Sequence, residues 1–182
     1  MSQSLEERIN IFLTVNQAVI EEHFNPNDPA PIYKRQLSYE FEQYILMSAA
    51  AAKRYSTIQY KVTCKKESDR QYAEPLIYAI KRHFLAKKSG QEAAFNRFKR
   101  RNYRLLFSSI AVVIVCHGIV PLFIKEDMVG LYSALINGLD IFSWVMLWQP
   151  IDKLLFHWNP YLKDIGISRR LATAEVILNE NA

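Results

Sequence analysis

Three groups of ionisable side chains in this sequence stand at spacings that invite chemistry. Asp140 sits inside a long apolar run and His117 inside another. An acid and an imidazole facing each other in hydrocarbon are the parts of a proton or ion site, and a mid-span carboxylate costs about 2.5–3.5 kcal/mol to insert, so it marks function by default. Asp152 and His157, in "WQPIDKLLFHWNP" (148–160), have the types of a general acid–base pair. Glu21, Glu22, His23 and Asp28, in "EEHFNPND", have the types that ligate a cation.

Spacing weighs on each group. Asp152 and His157 are five residues apart, about 140° around a helix, so they do not share a helical face. The Glu21–Asp28 group has no metal-binding spacing, and the chain has no P-loop, Gly-rich dinucleotide turn, GxSxG or HExxH. The expectation is therefore no catalytic, metal or cofactor site and no small-molecule substrate. His117 falls about 18 Å along its run and Asp140 about 14–16 Å from the same end, so the two can meet. A single acid and a single His, without the polar residues of a pore, favour a pair that fixes helix packing, with Asn137 as another partner for Asp140.

The elements that hold these residues are apolar spans. Residues 105–124, "LLFSSIAVVIVCHGIVPLFI", contain no Asp, Glu, Lys or Arg and are long enough to cross a bilayer. The short "KED" (125–127) then leads to residues 128–151, which carry Asp140 alone, so the spacing predicts a transmembrane hairpin. Within it Gly130, Ala134 and Gly138 recur every fourth residue, a face that allows close helix approach to the first span or to another copy. Trp144, Trp148 and Trp158 gather at one end, as an interfacial aromatic belt does.

Charge orients the hairpin. The formal charge of +5 is uneven: residues 58–104 hold thirteen Lys or Arg and four Asp or Glu, whereas residues 1–57 and 105–182 each hold five against seven. The basic stretch "FNRFKRRNYR", with Arg97, Lys99, Arg100, Arg101 and Arg104, abuts the first span. It reads as a lipid-headgroup segment and topology signal before it reads as a nucleic-acid surface. The positive-inside rule places both termini in the cytoplasm.

The remainder predicts a small cytoplasmic α+β domain. "RINIFLTVN" (8–16) and "IQYKVTCK" (58–65) alternate like half-buried strands, and the run Glu175–Leu178 is expected to join them as a third. "QAVIEEHF" reads as helical, "NPNDPAP" as a turn, and "SYEFEQYILMSAAAAK" as a helix with Phe41, Tyr44, Ile45 and Ala49 on one stripe. Pro75 suits the first turn of a helix ending near Lys88, and "SGQE" (89–92) has a capping-box pattern that would start another helix running into the first span. The expected organisation is a domain at 1–88, a basic helix at 89–104, spans at 105–124 and 128–151, and an interfacial and returning segment at 152–182. Cys64 and Cys116 share no metal-type spacing and read as free thiols.

"FSWVMLWQPIDKLLFHWNP" resembles the signature of an uncharacterised family of small bacterial two-span membrane proteins. The residues that carry the likeness are Trp148, Pro150, Asp152, Leu154, Leu155, Phe156, Trp158 and Pro160, with Asp28, Pro29 and Pro31 in an N-terminal turn. The resemblance spans about residues 8–178 and departs at Asp140, Gln149, His157 and Asn159. It implies a bacterial inner-membrane location and the same fold, and carries no activity.

Two functions follow as expectations. The first is a membrane-anchored interaction or scaffold protein that displays its domain at the inner membrane and binds lipids, a membrane-protein partner or copies of itself. The alternative is a membrane-active effector or ion- or proton-conducting oligomer using Asp140 and His117. Trp148, Pro150, Asp152, Trp158 and Pro160 are expected to form a structural elbow: Pro150 ends or bends the second span, Pro160 ends the helix after it, and Asp152 accepts from the basic helix.

Overall fold

A computed structural model describes residues 8–50, 56–64, 66–123 and 129–180. The "KED" turn, Lys65 and the end of the Ala-rich stretch (51–55) lie outside the described residues. The chain divides into two compact units, one of residues 1–91 and 163–182, the other of residues 92–162.

The first unit is α+β. Strands β1 (Arg8–Val15), β2 (Thr57–Cys64) and β3 (Glu175–Glu180) form one sheet in the order β1-β2-β3, with both pairs parallel. Ile9 pairs with Ile58 and Leu13 with Val62; Tyr60 pairs with Val176. Parallel neighbours need long crossovers. Helix α1 (Tyr39–Ala50) lies within the first, and helices α2 (Arg70–Phe123), α3 (Val129–Phe156) and α4 (Asn159–Thr173) make up most of the second.

Strand alternation decides which face is core. Ile11, Leu13 and Val15 of β1 and Ile58, Tyr60 and Val62 of β2 are buried, while Phe12 and Thr14 between them are exposed. Phe41, Ile45 and Ala49 of α1 cover this face at helical spacing, together with Leu76, Ala79, Ile80 and Phe84 of α2 and Leu171 of α4. Tyr44, placed by its spacing on the same stripe, is instead 45% exposed and donates its hydroxyl to the Phe12 carbonyl at 2.8 Å. Buried Tyr60 donates to the Leu171 carbonyl at 3.0 Å, and desolvation pushes its phenol above the ordinary range.

Several local expectations change. "QAVIEEHF" forms only a 3-10 turn, Ile20–His23, because Phe24 extends and bridges to Leu37. Helix α2 begins at Arg70, so Pro75 lies beyond the first turn, and the helix passes unbroken through Ser89 and Gly90. One internal glycine costs about 1 kcal/mol, whereas a break would orphan the N–H and C=O groups of two helix ends.

The second unit is helical. Among the described residues one helix is long and apolar enough to cross a membrane, the one containing α2. Helix α3 is 28 residues long, and from Val129 to Ile151 Asp140 is its one charged side chain. It also continues past Pro150, which therefore does not end it.

Candidate functional site

Helix α2 carries His117, and α3 carries Asp140 and Ser143 one turn apart. His117 Nε2 lies 3.7 Å from Asp140 Oδ1 and 3.0 Å from Ser143 Oγ. Ser143 is buried, whereas the Asp140 side chain is 63% exposed and that of His117 37%. Asn137, one turn before Asp140, is also exposed. The arrangement is a polar clamp between two apolar helices, and it contains one acid and one imidazole.

The small-residue face points elsewhere. At about 100° per residue, Gly130, Ala134 and Gly138 lie some 80–160° around α3 from Asp140, and about 140–180° from Ser143. All three are exposed, and a Cβ placed on Gly130 or Gly138 meets nothing within 4 Å. The face is thus not used against His117's neighbourhood of α2.

Of the aromatic residues in "FNRFKRRNYR", Phe95 and Phe98 are half-buried and Tyr103 is exposed. Phe95 and Phe98 pack on Tyr161 of α4 at 5.8 and 5.2 Å, and buried Asn102 donates from Nδ2 to the Phe98 carbonyl at 2.9 Å. Arg97, Lys99, Arg100, Arg101 and Arg104 are all exposed, with the Lys99 ammonium 5.2 Å above the Phe95 ring. Five cations along ten residues of one helix make a surface suited to anionic headgroups.

The elbow lies later than its prolines suggest. Helix α3 continues to Phe156, the chain bends at His157 and Trp158, and Pro160 opens α4 rather than closing a helix. Proline fits there because a first-turn N–H has no partner within its helix. The Trp158 indole donates to the Leu155 carbonyl at 2.8 Å, fixing the bend, and the Trp148 and Trp144 rings lie 6.0 Å apart, tilted by 30°. Asp152 Oδ2 lies 3.6 Å from His157 Nδ1. The two approach because His157 stands past the end of α3, where the angular argument against a shared face no longer applies. Among the described residues the ionic neighbour of Asp152 is thus this histidine and not the basic helix expected.

The Glu21–Asp28 group is structural. Glu21 pairs with Arg35, and Asp28 accepts from the Ala30 and Gln36 backbone at 3.0 and 2.8 Å, which holds its carboxyl below the usual range. His23 stacks on Phe41 at 4.2 Å, and burial lowers its pKa against the partial support of the Thr14 carbonyl. No group of three metal-ligating side chains stands together among the described residues. Sequence spacing missed Ser143, the buried Asp69, and a cluster of Glu42 on α1 with His83 and Lys87 on α2. Only contact across more than 40 residues joins the last three.

Compared with known protein families, curated proteins and solved structures, the chain matches none. The likeness to the two-span family accordingly rests on the motif residues themselves.

Proposed function

We propose that this chain is a membrane-anchored interaction protein, its helical unit inserted in a bacterial inner membrane as a two-span hairpin with both termini cytoplasmic. One observation carries the reading: α2 has two apolar regimes. Leu76, Ile80 and Phe84 are fully buried against the sheet, whereas Phe107, Ile114 and Val115 are 67%, 66% and 52% exposed. Such a helix needs a second apolar environment for its later turns, and a bilayer supplies one. The exposed cations of residues 97–104 suit the headgroup layer, and the uncovered Gly130–Gly138 face suits a close helix partner. Two measurements test this. The protein should stay in the membrane pellet through alkaline carbonate extraction, and native mass spectrometry from mild detergent should find it in a complex or oligomer. Carbonate release, or a monomer without a partner, counts against it.

A second reading, an ion- or proton-conducting oligomer, draws on the approach of His117 to Asp140. It requires flux across liposomes containing the wild-type protein and loss of that flux in Asp140→Asn. Absence of wild-type flux, or flux unchanged by the substitution, removes it.

A further inference from the structure

The α+β unit contains a groove of about 640 Å³, lined in part by Asp28 and by the cluster of Glu42, His83 and Lys87. One wall is the loop preceding α1 together with Glu42, and the other is a face of α2. The groove exists because Ala79 and Ala86, about two turns apart on α2, leave room that larger side chains would fill. Arg82, His83 and Lys87 line the same helix face, and Lys34 and Arg35 face them from the loop.

The lining is electropositive. Four cationic side chains meet two carboxylates, and both carboxylates are already engaged. Asp28 accepts from two backbone N–H groups, while Glu42 accepts from the Lys87 ammonium and lies 3.2 Å from His83 Nε2. Arg35 is held by Glu21 and by the Ala30 carbonyl. Lys34 lies over the Tyr33 ring at 5.6 Å, and Arg82 helps to lower the Asp28 pKa from across the groove without a salt bridge to it among the described residues. Arg82 donates one N–H to the Lys34 carbonyl at 2.8 Å, which orients its guanidinium and leaves further donors of the fork for another acceptor.

The histidine adds a buried polar atom to the groove. Its Nε2 lies 3.2 Å from Glu42 Oε2, an ion-pair contact whose angle falls short of a well-formed hydrogen bond. Unsatisfied buried polar atoms are uncommon in folded proteins and often await a ligand or water.

We propose that this groove binds a phosphate group, carried by a small phosphoester or diphosphate or by a phospholipid headgroup, with Arg82 and Lys34 as principal donors and His83 Nε2 beside them. A phosphate dianion matches the convergence of several cations better than a single carboxylate, and its oxygens match the Arg fork. Glu42 is the opposing charge, so it limits affinity and holds Lys87 until the anion arrives.

The test uses the full chain in mild detergent, with the His83 ring followed by NMR; the protein has four histidines, so substitution assigns each signal. Inorganic pyrophosphate should shift the His83 signal saturably. Binding should weaken about tenfold or more in Lys34→Gln/Arg82→Gln, whose side chains are on exposed residues, and should tighten in Glu42→Gln. A second arm compares nanodiscs of phosphatidylcholine alone with nanodiscs containing phosphatidic acid. A His83 response to phosphatidic acid but not to pyrophosphate, lost in the double variant, assigns the headgroup as the ligand. No saturable response in either arm, or a response unchanged in the double variant, overturns the proposal. Neither result depends on whether the chain assembles with a partner.

Discussion

His117 Nε2 and Asp140 Oδ1 lie 3.7 Å apart across α2 and α3, with the Ser143 hydroxyl completing a three-residue polar contact between apolar helices. Such contacts act on helix pairing and are worth about 0.5–2 kcal/mol in membranes. His117→Leu and Asp140→Leu should each lower the resistance of the helical unit to denaturing detergent by an amount in that range. The double variant should lose less than the sum of the two, because the second change removes a partner already lost. Tryptophan fluorescence from Trp144 and Trp148 reads the transition. Additive losses would show that the two side chains do not act as a pair.

Asp69 ties three elements of the α+β unit together. Only 2% exposed, it accepts from the Gln17 backbone at 3.1 Å through one oxygen and from the Lys66 backbone at 3.1 Å through the other. Asp69→Ala leaves two backbone donors unpaired and should cost about 2–4 kcal/mol in urea unfolding. Asp69→Asn, which retains one acceptor oxygen, should cost less. Equal midpoints for wild type and Asp69→Ala would contradict this role.

Acid should destabilise the same unit in two steps. Burial holds His23 and His83 below their ordinary 6.5, only partly offset by the Thr14 carbonyl and by Glu42. Above about pH 6.5 both folded and unfolded chains carry these rings neutral. As pH falls below that value the unfolded chain takes up protons first, so stability declines until the lowered folded values are passed. Burial pushes Glu42 upward, but Lys87 and His83 outweigh it and hold the carboxyl below its ordinary 4.5, so a second loss follows at lower pH. Thermal melting by circular dichroism should show a decline between about pH 7 and pH 5 that is shallower in His83→Gln. A melting temperature flat across that range would contradict the assignment.

The sheet was legible because period-two alternation survives in "IQYKVTC" and in the Ile11, Leu13, Val15 set, which one buried face demands. Its parallel pairing was not legible, since strand direction depends on where the crossovers pack. The bend near the second Trp-x-Pro was misread because proline both ends and begins helices, and only the path of α4 distinguishes these roles at Pro160. Residues 159–173 were not recognised as a helix, because Asn159, Lys163, Asp164 and Gly166 obscure the buried Ser168 and Leu171 positions. The Glu42, His83 and Lys87 cluster carries no local signal, since Glu42 lies on α1 and the other two on α2.

The central claim, that the helical unit assembles with a partner, rests on the uncovered small face of α3. A leucine at Gly138 has free space within one chain, since a Cβ there meets nothing within 4 Å, so it should leave the single chain folded. Native mass spectrometry of wild type and Gly138→Leu, released from the same mild detergent, tests the claim most directly. The account predicts a wild-type oligomer or complex that falls apart to single chains in the variant while the circular dichroism spectrum is unchanged. A wild type that is already a single chain without a partner, or an assembly indifferent to Gly138→Leu, would contradict it.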